Sequence, residues 1–144
     1  MDWLGLRTEP FQPSKALTTA SKQSSIKRFV YTSSSTAITA PKPGVAFDIS
    51  TDNWNDEDVE AAWKPPPYAP ERAWAVYGAS KCLAEKKMWE FYKEKKPGFV
   101  MSTVLPNANM GEILSDKQPA STGAWAKQVF NGNLDALKGI PPRM

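Results

Sequence analysis

The feature that most constrains the fold is a unit that occurs twice: a helix-prone segment passing within a few residues into a short run of β-branched and aromatic residues. The first helix covers residues 15–22 and leads into Lys27-Arg28-Phe29-Val30-Tyr31-Thr32. The second begins at Val76, runs to about Lys96 and leads into Phe99-Val100-Met101-Ser102-Thr103-Val104-Leu105. Ser14 is placed to cap the first helix, with Ala16, Leu17 and Ala20 spaced as its apolar stripe, and Pro97-Gly98 stops the second. Helix feeding directly into strand is the repeating step of a parallel sheet, so the expected class is α/β with flanking helices. A further helix is expected over residues 122–130, and residues 131–144 read as a loop.

Between the two units lies a long irregular segment, residues 41–74, interrupted by a short helix over 56–63 and closed by Pro65-Pro66-Pro67. Trp54, Trp63 and Trp74 are expected to pack this segment onto the body. The first strand ends in Ser33-Ser34-Ser35-Thr36, hydroxyls at the carboxyl end, where open α/β sheets bind their ligands. A serine run is equally the composition of a plain turn. Residues 1–13 show no sustained period and form a lead-in.

Composition removes several classes of chemistry. The chain has 144 residues, no histidine and one cysteine. It therefore has the length of one ordinary domain, no Ser-His-Asp or Cys-His machinery, no His-ligated metal and no internal disulfide. Its net charge of +3 is spread over helices and loops, with no basic stripe interleaved with aromatics, so no nucleic-acid partner is expected. No apolar run reaches the ~20 residues of a membrane span, and a cytoplasmic location with no membrane partner is the expectation.

The stretch with chemical promise is Val76-Tyr77-Gly78-Ala79-Ser80-Lys81-Cys82-Leu83-Ala84-Glu85. Tyr77 and Lys81 stand one helical turn apart on one face, which sets an ammonium beside a phenol. A neighbouring cation favours the ionised phenol and suits a tyrosine to acid/base work. Tyr92 and Lys96 share the same spacing and serve as an internal control: Lys96 lies in a charged run before Pro97, at a solvated helix end. At 100° per residue, Tyr77, Ser80, Lys81, Ala84, Met88 and Phe91 fall on one side, which predicts that the Tyr77/Lys81 face is the buried one.

Strand, serine turn, long loop, Tyr-xxx-Lys helix, strand and Pro-Asn loop in this order resemble the extended short-chain dehydrogenase/reductases, in particular the branch of aldehyde, methylglyoxal and dihydroflavonol reductases within the NAD-dependent epimerase/dehydratase superfamily. The likeness runs from about Ala16 to Pro142. Its most specific parts are Lys27-Arg28-Phe29-Val30-Tyr31-Thr32-Ser33-Ser34, Val76-Tyr77-Gly78-Ala79-Ser80-Lys81 and Val104-Leu105-Pro106-Asn107 with Gly111. It implies a partial Rossmann-like parallel sheet over residues 14–144, NADP as cofactor with NAD as the alternative, and a small carbonyl substrate.

By the same resemblance, Tyr77 is the general acid, Lys81 lowers its pKa and holds the nicotinamide ribose, and Ser34 binds the substrate oxygen, with Ser33 and Ser35 as alternatives of register. Thr32, Ser33, Pro106, Asn109 and Ser121 are implied on the cofactor side. The sequence departs from the family in lacking its glycine-rich βαβ turn: Gly5, Gly44, Gly78, Gly98, Gly111, Gly123, Gly132 and Gly139 are scattered. The expectation is an internal portion of a longer reductase, weak or inactive alone, with an exposed sheet edge open to self-association. The alternatives are a non-catalytic remnant serving as an interaction module, and an epimerase/dehydratase using the same pair.

Overall fold

The computed structural model describes residues 15–40, 42, 44–70, 72–109, 111 and 121–139. Within them β1 (Arg28–Thr32) and β2 (Val100–Val104) pair in parallel, Arg28 opposite Val100 and Thr32 opposite Val104. The helices are α1 (Lys15–Ala20), α2 (Asp56–Ala62), α3 (Arg72–Lys95) and α4 (Ser121–Phe130), with 3-10 turns at Ser35–Ala37 and Leu134–Gly139. The fold is thus α/β, a two-stranded parallel sheet with flanking helices. Among the described residues no helix is long and apolar enough to cross a membrane.

Strand alternation sends Phe29 and Tyr31 of β1, and Met101 of β2, toward the helices. There they meet Leu17 and Ala20 of α1 and Met88 and Phe91 of α3, with Phe99 closing the cluster. The Phe29 and Phe99 rings stack at 5.7 Å between centroids. Each large apolar side chain fully buried here contributes roughly 1.5–3 kcal/mol. The alternate positions Val30, Val100 and Val104 face the other way and are exposed, Val30 to 61%. Only one face of the sheet is covered among the described residues.

Local sequence explains the helix ends. Asn55 caps α2 by accepting from the Asp58 amide, and Asp56, Glu57 and Asp58 place negative charge at the positive end of the helix dipole. Lys93 and Lys95 do the converse at the end of α3, where Lys96 turns left-handed (φ 45°) before Pro97-Gly98.

The C-terminal half of α3 packs beside the strand starts, through Met88, Phe91 and Phe99. Its N-terminal half packs against the 3-10 turn Ser35–Ala37, just past the end of β1. Helix α3 therefore runs antiparallel to the strands, and its first turns lie at their carboxyl ends.

Several expectations are corrected. Helix α3 begins at Arg72, not near Val76, so Trp74 is helical rather than a loop residue. Its stripe buried against the rest of the chain runs through Ala79, Cys82, Glu85, Met88 and Phe91; Tyr77 and Ser80 are exposed and Lys81 is half-buried. The stripe is rotated because α2 presses on the face carrying Gly78, where an added Cβ would collide with the Asp58 carboxylate. Trp63 and Trp74 are exposed, Trp74 meeting the Tyr77 ring of its own helix, and Trp54 is half-buried with Lys86 Nζ 5.4 Å from its ring. Ala16 lies outside the α1 stripe, since that helix ends at Ala20 and only Leu17 and Ala20 are buried. Tyr92 is not at a solvated end but packs on Phe99, 6.2 Å between ring centroids, whereas Lys96 is exposed. The expected loop after α4 contains the 3-10 turn Leu134–Gly139. The lead-in, the Ser14 cap and residues 140–144 lie outside the described residues.

Candidate active site

Two backbone hydrogen bonds join the loops at the carboxyl end of the sheet. Ser33 N donates to Val104 O at 2.8 Å, continuing the strand ladder by one step, and Ser35 N donates to Pro106 O at 2.9 Å. Thr32, Ser33, Ser34 and Pro106 are thereby brought to one edge, with Thr32 exposed, Pro106 half-buried and the two serines buried. Ser34 is 7% exposed and caps the following 3-10 turn: its Oγ accepts from Thr36 N at 3.3 Å and from Thr36 Oγ1 at 2.9 Å. Both bonds use Ser34 as acceptor, which leaves its own hydroxyl proton to give. Ser33 Oγ is buried without a hydrogen-bond partner among the described residues.

The 3-10 turn is held in place by Asn55, a residue that the sequence reading did not single out. Asn55 is 2% exposed. Its backbone amide donates to Ala37 O at 3.0 Å and its Nδ2 to Thr36 O at 2.8 Å, while the same side chain caps α2. An asparagine ahead of three acidic residues is a legible capping signal. Its reach back across the loop to Thr36 is not, because that contact is 19 residues distant.

On α3, Lys81 Nζ lies 5.8 Å from the Tyr77 ring centroid, so the pair spaced by one turn is a pair in space. Trp74, the preceding turn on the same side, meets Tyr77 edge to face at 6.1 Å. Ser80 donates to Tyr77 O at 2.7 Å, which ties its hydroxyl to the helix itself. Tyr31 faces this region from β1: burial first, then the charges of Glu85 and Tyr77, push its phenol above the ordinary tyrosine range. Glu85 is 3% exposed, with Oε1 accepting from Trp89 Nε1 at 3.4 Å and Oε2 without a partner among the described residues.

No hydrogen bond among the described residues joins Ser34 to Tyr77 or Lys81. Asn109 is exposed and tied to α4, its carbonyl accepting from Thr122 Oγ1 at 2.5 Å, and Ser121 is the first residue of that helix.

A parallel α/β sheet with a Tyr-xxx-Lys helix whose first turns lie at the strands' carboxyl ends is the arrangement that the resemblance to the extended short-chain dehydrogenase/reductases implies. The comparisons with known proteins agree, although no protein-family model matches the chain. An NAD-dependent epimerase/dehydratase of Aspergillus terreus is 46% identical over 116 residues, 81% of this chain and 34% of that protein. Aldehyde reductase 2 of Sporidiobolus salmonicolor is 39% identical over 131 residues, 89% of this chain and 38% of that protein. Among solved structures, a reductase engineered to attenuate substrate inhibition in asymmetric catalysis superposes with a TM-score of 0.55 at 31% identity, over 71% of this chain and 30% of that one. Over most of its length the chain is thus similar to proteins named as NAD-dependent epimerase/dehydratases and aldehyde reductases, and it spans about a third of the length of the curated relatives it matches.

Proposed function

We propose that the chain carries the proton-donating side of an NADPH-dependent reductase that converts an aldehyde or ketone to an alcohol. The observation that supports this best is the half-buried Lys81 ammonium, 5.8 Å from the Tyr77 ring and in no ion pair among the described residues. Tyr77 gives its phenolic proton to the carbonyl oxygen, and Lys81 stabilises the phenolate left behind. Ser34 keeps its proton and donates a hydrogen bond from its hydroxyl to the same oxygen, with Ser33 and Ser35 as the neighbouring candidates.

The unpartnered Ser33 Oγ, at the edge where Thr32 and Pro106 also lie, fits a polar nicotinamide end. Lys81, Thr32, Ser33, Pro106, Asn109 and Ser121 would hold that end, whereas the scattered glycines supply no turn for the pyrophosphate. NADPH when bound supplies the hydride; NAD is the alternative cofactor. Residues 14–144 constitute the partial reductase domain, its location is the cytoplasm, and copies associate through the open sheet edges, which sedimentation at rising concentration tests.

Titrating NADPH while following nicotinamide fluorescence, then adding a carbonyl compound, tests the reading. Micromolar binding lost in Lys81→Ala, with carbonyl-dependent oxidation lost in Tyr77→Phe, is expected. Absence of binding at millimolar NADPH would leave the second reading, a non-catalytic interaction module. An NAD-dependent epimerase/dehydratase, as the Aspergillus relative is named, would instead leave the cofactor unconsumed.

A further inference from the structure

We propose that the groove between the loop carrying Trp54 and the carboxyl-terminal half of α3 binds a planar aromatic carboxylate, at a site separate from the Tyr77/Lys81 pair.

The groove has a volume of about 640 Å³ and is lined by Trp54, Lys86, Trp89, Glu90, Lys93 and Glu94. Its α3 residues recur at helical spacing and so share one face, which begins roughly 14 Å beyond Tyr77 along the helix axis. Both indoles are fixed before any ligand arrives. Trp89 Nε1 donates to Glu85 Oε1 at 3.4 Å, and its ring meets Tyr92 edge to face at 5.8 Å. Trp54 adjoins Asn55, which is bonded to Thr36 O and Ala37 O, and Lys86 Nζ lies 5.4 Å from its ring. Both tryptophans are half-buried, so each keeps indole surface in contact with water.

Charge selects the ligand. Lys86 is paired with Asp56 at 2.5 Å, and the two carboxylates of the groove are paired with lysines beside it, Glu90 with Lys87 at 2.6 Å and Glu94 with Lys95 at 3.2 Å. Lys93 is the lining charge that enters no ion pair among the described residues. The groove and its partners therefore carry one uncompensated positive charge beside two aromatic walls, which suits an anion attached to a flat ring. The ring gains offset or edge-on stacking against the indoles, and its carboxylate reaches the Lys93 ammonium. A saturated carboxylate finds the charge without the stacking, and an aryl ammonium finds the walls but is repelled by Lys93.

The test uses the whole chain carrying fluorotryptophan at its six tryptophans, observed by fluorine NMR and titrated with 2-naphthoate, with neutral 2-naphthamide as the control. The resonances lost in Trp54→Phe and Trp89→Phe assign the two walls, and both are expected to shift with a dissociation constant of about 1 mM. The amide should bind roughly two- to five-fold more weakly than the carboxylate, and Lys93→Gln, an exposed substitution, should erase that difference. Trp54→Ala should weaken both probes roughly two- to ten-fold, and Tyr77→Phe should leave the titration unchanged. The inference is overturned if neither resonance moves at about ten times the expected dissociation constant, or if Lys93→Gln leaves a preference for the carboxylate intact. Loss of the shifts in Tyr77→Phe would equally overturn it, by placing the probe at the Tyr77/Lys81 pair.

Discussion

Asn55→Ala removes three hydrogen bonds at once, two of which carry separable costs. The side chain caps α2 by accepting from Asp58 N at 3.1 Å, donates from Nδ2 to the buried Thr36 carbonyl at 2.8 Å, and donates from the same amide to the Asp58 carboxylate at 2.6 Å. Loss of a cap costs about 1 kcal/mol. Leaving the Thr36 carbonyl without its partner costs about 1–3 kcal/mol more. The variant should therefore lose about 2–4 kcal/mol, read from urea titrations followed by far-ultraviolet circular dichroism. Asn55→Ser keeps an oxygen that can cap and discards the donor, so it should recover about 1 kcal/mol relative to Ala. A loss below about 0.5 kcal/mol for Ala, or identical curves for Ser and Ala, would refute the claim that this residue joins α2 to the turn bearing Ser34.

Burial raises the Asp58 carboxyl above its ordinary range, outweighing the lowering hydrogen bond from Asn55. The native state then holds more protons than the unfolded chain, so this group's contribution is full below the unfolded pKa of 3.8 and is lost as pH rises through the folded value. Asp58→Asn should accordingly raise the urea midpoint at neutral pH, with the gain shrinking toward about pH 3; a pH-independent difference would contradict it. Tyr31 should ionise above the ordinary tyrosine range in an alkaline absorbance titration, and Glu85→Gln should bring its transition to lower pH; no movement would separate the two residues. Cys82 is buried and its thiol is raised chiefly by that burial, so a disulfide reagent should label it only at the rate of unfolding, and rapid labelling in native buffer would count against the packing of α3. Phe91→Ala should cost about 3–5 kcal/mol, since the ring fills the cluster between α1 and the sheet; a midpoint near wild type would deny that the cluster is the core.

The strands and their order were legible because Phe-Val-Tyr-Thr and Val-Met-Ser-Thr-Val have little use except in a sheet, and because each follows a helix closely. The start of α3 was obscured by the prolines before it. Pro70 reads as loop punctuation, yet a proline is well tolerated in the first turn of a helix, and Ala73 N already donates to Pro70 O. The first half of the buried stripe of α3 was misassigned because it is built from Gly78, Ala79, Cys82 and Glu85, which carry little periodic signal; Met88 and Phe91 were read correctly, and Tyr77 was drawn onto their face. Which face of α3 is covered depends on α2 lying against Gly78, a contact between segments 20 residues apart that no local pattern encodes. That Tyr77 and Lys81 share a face followed from their spacing, but Tyr92 and Lys96 have the same spacing, so spacing alone did not single out the pair; the flanking Trp74 was hidden inside a segment read as loop.

The bonds from Ser33 to Val104 and from Ser35 to Pro106 fasten the serine turn to the loop that follows β2. These two connections share no sequence neighbourhood, yet neither can be displaced without straining the other. A clasp of this kind makes the two loops at the carboxyl end of the sheet a single mechanical part: a ligand that pulls on Pro106 also moves the Ser34 hydroxyl, so the two loops have to evolve, and be engineered, as a pair.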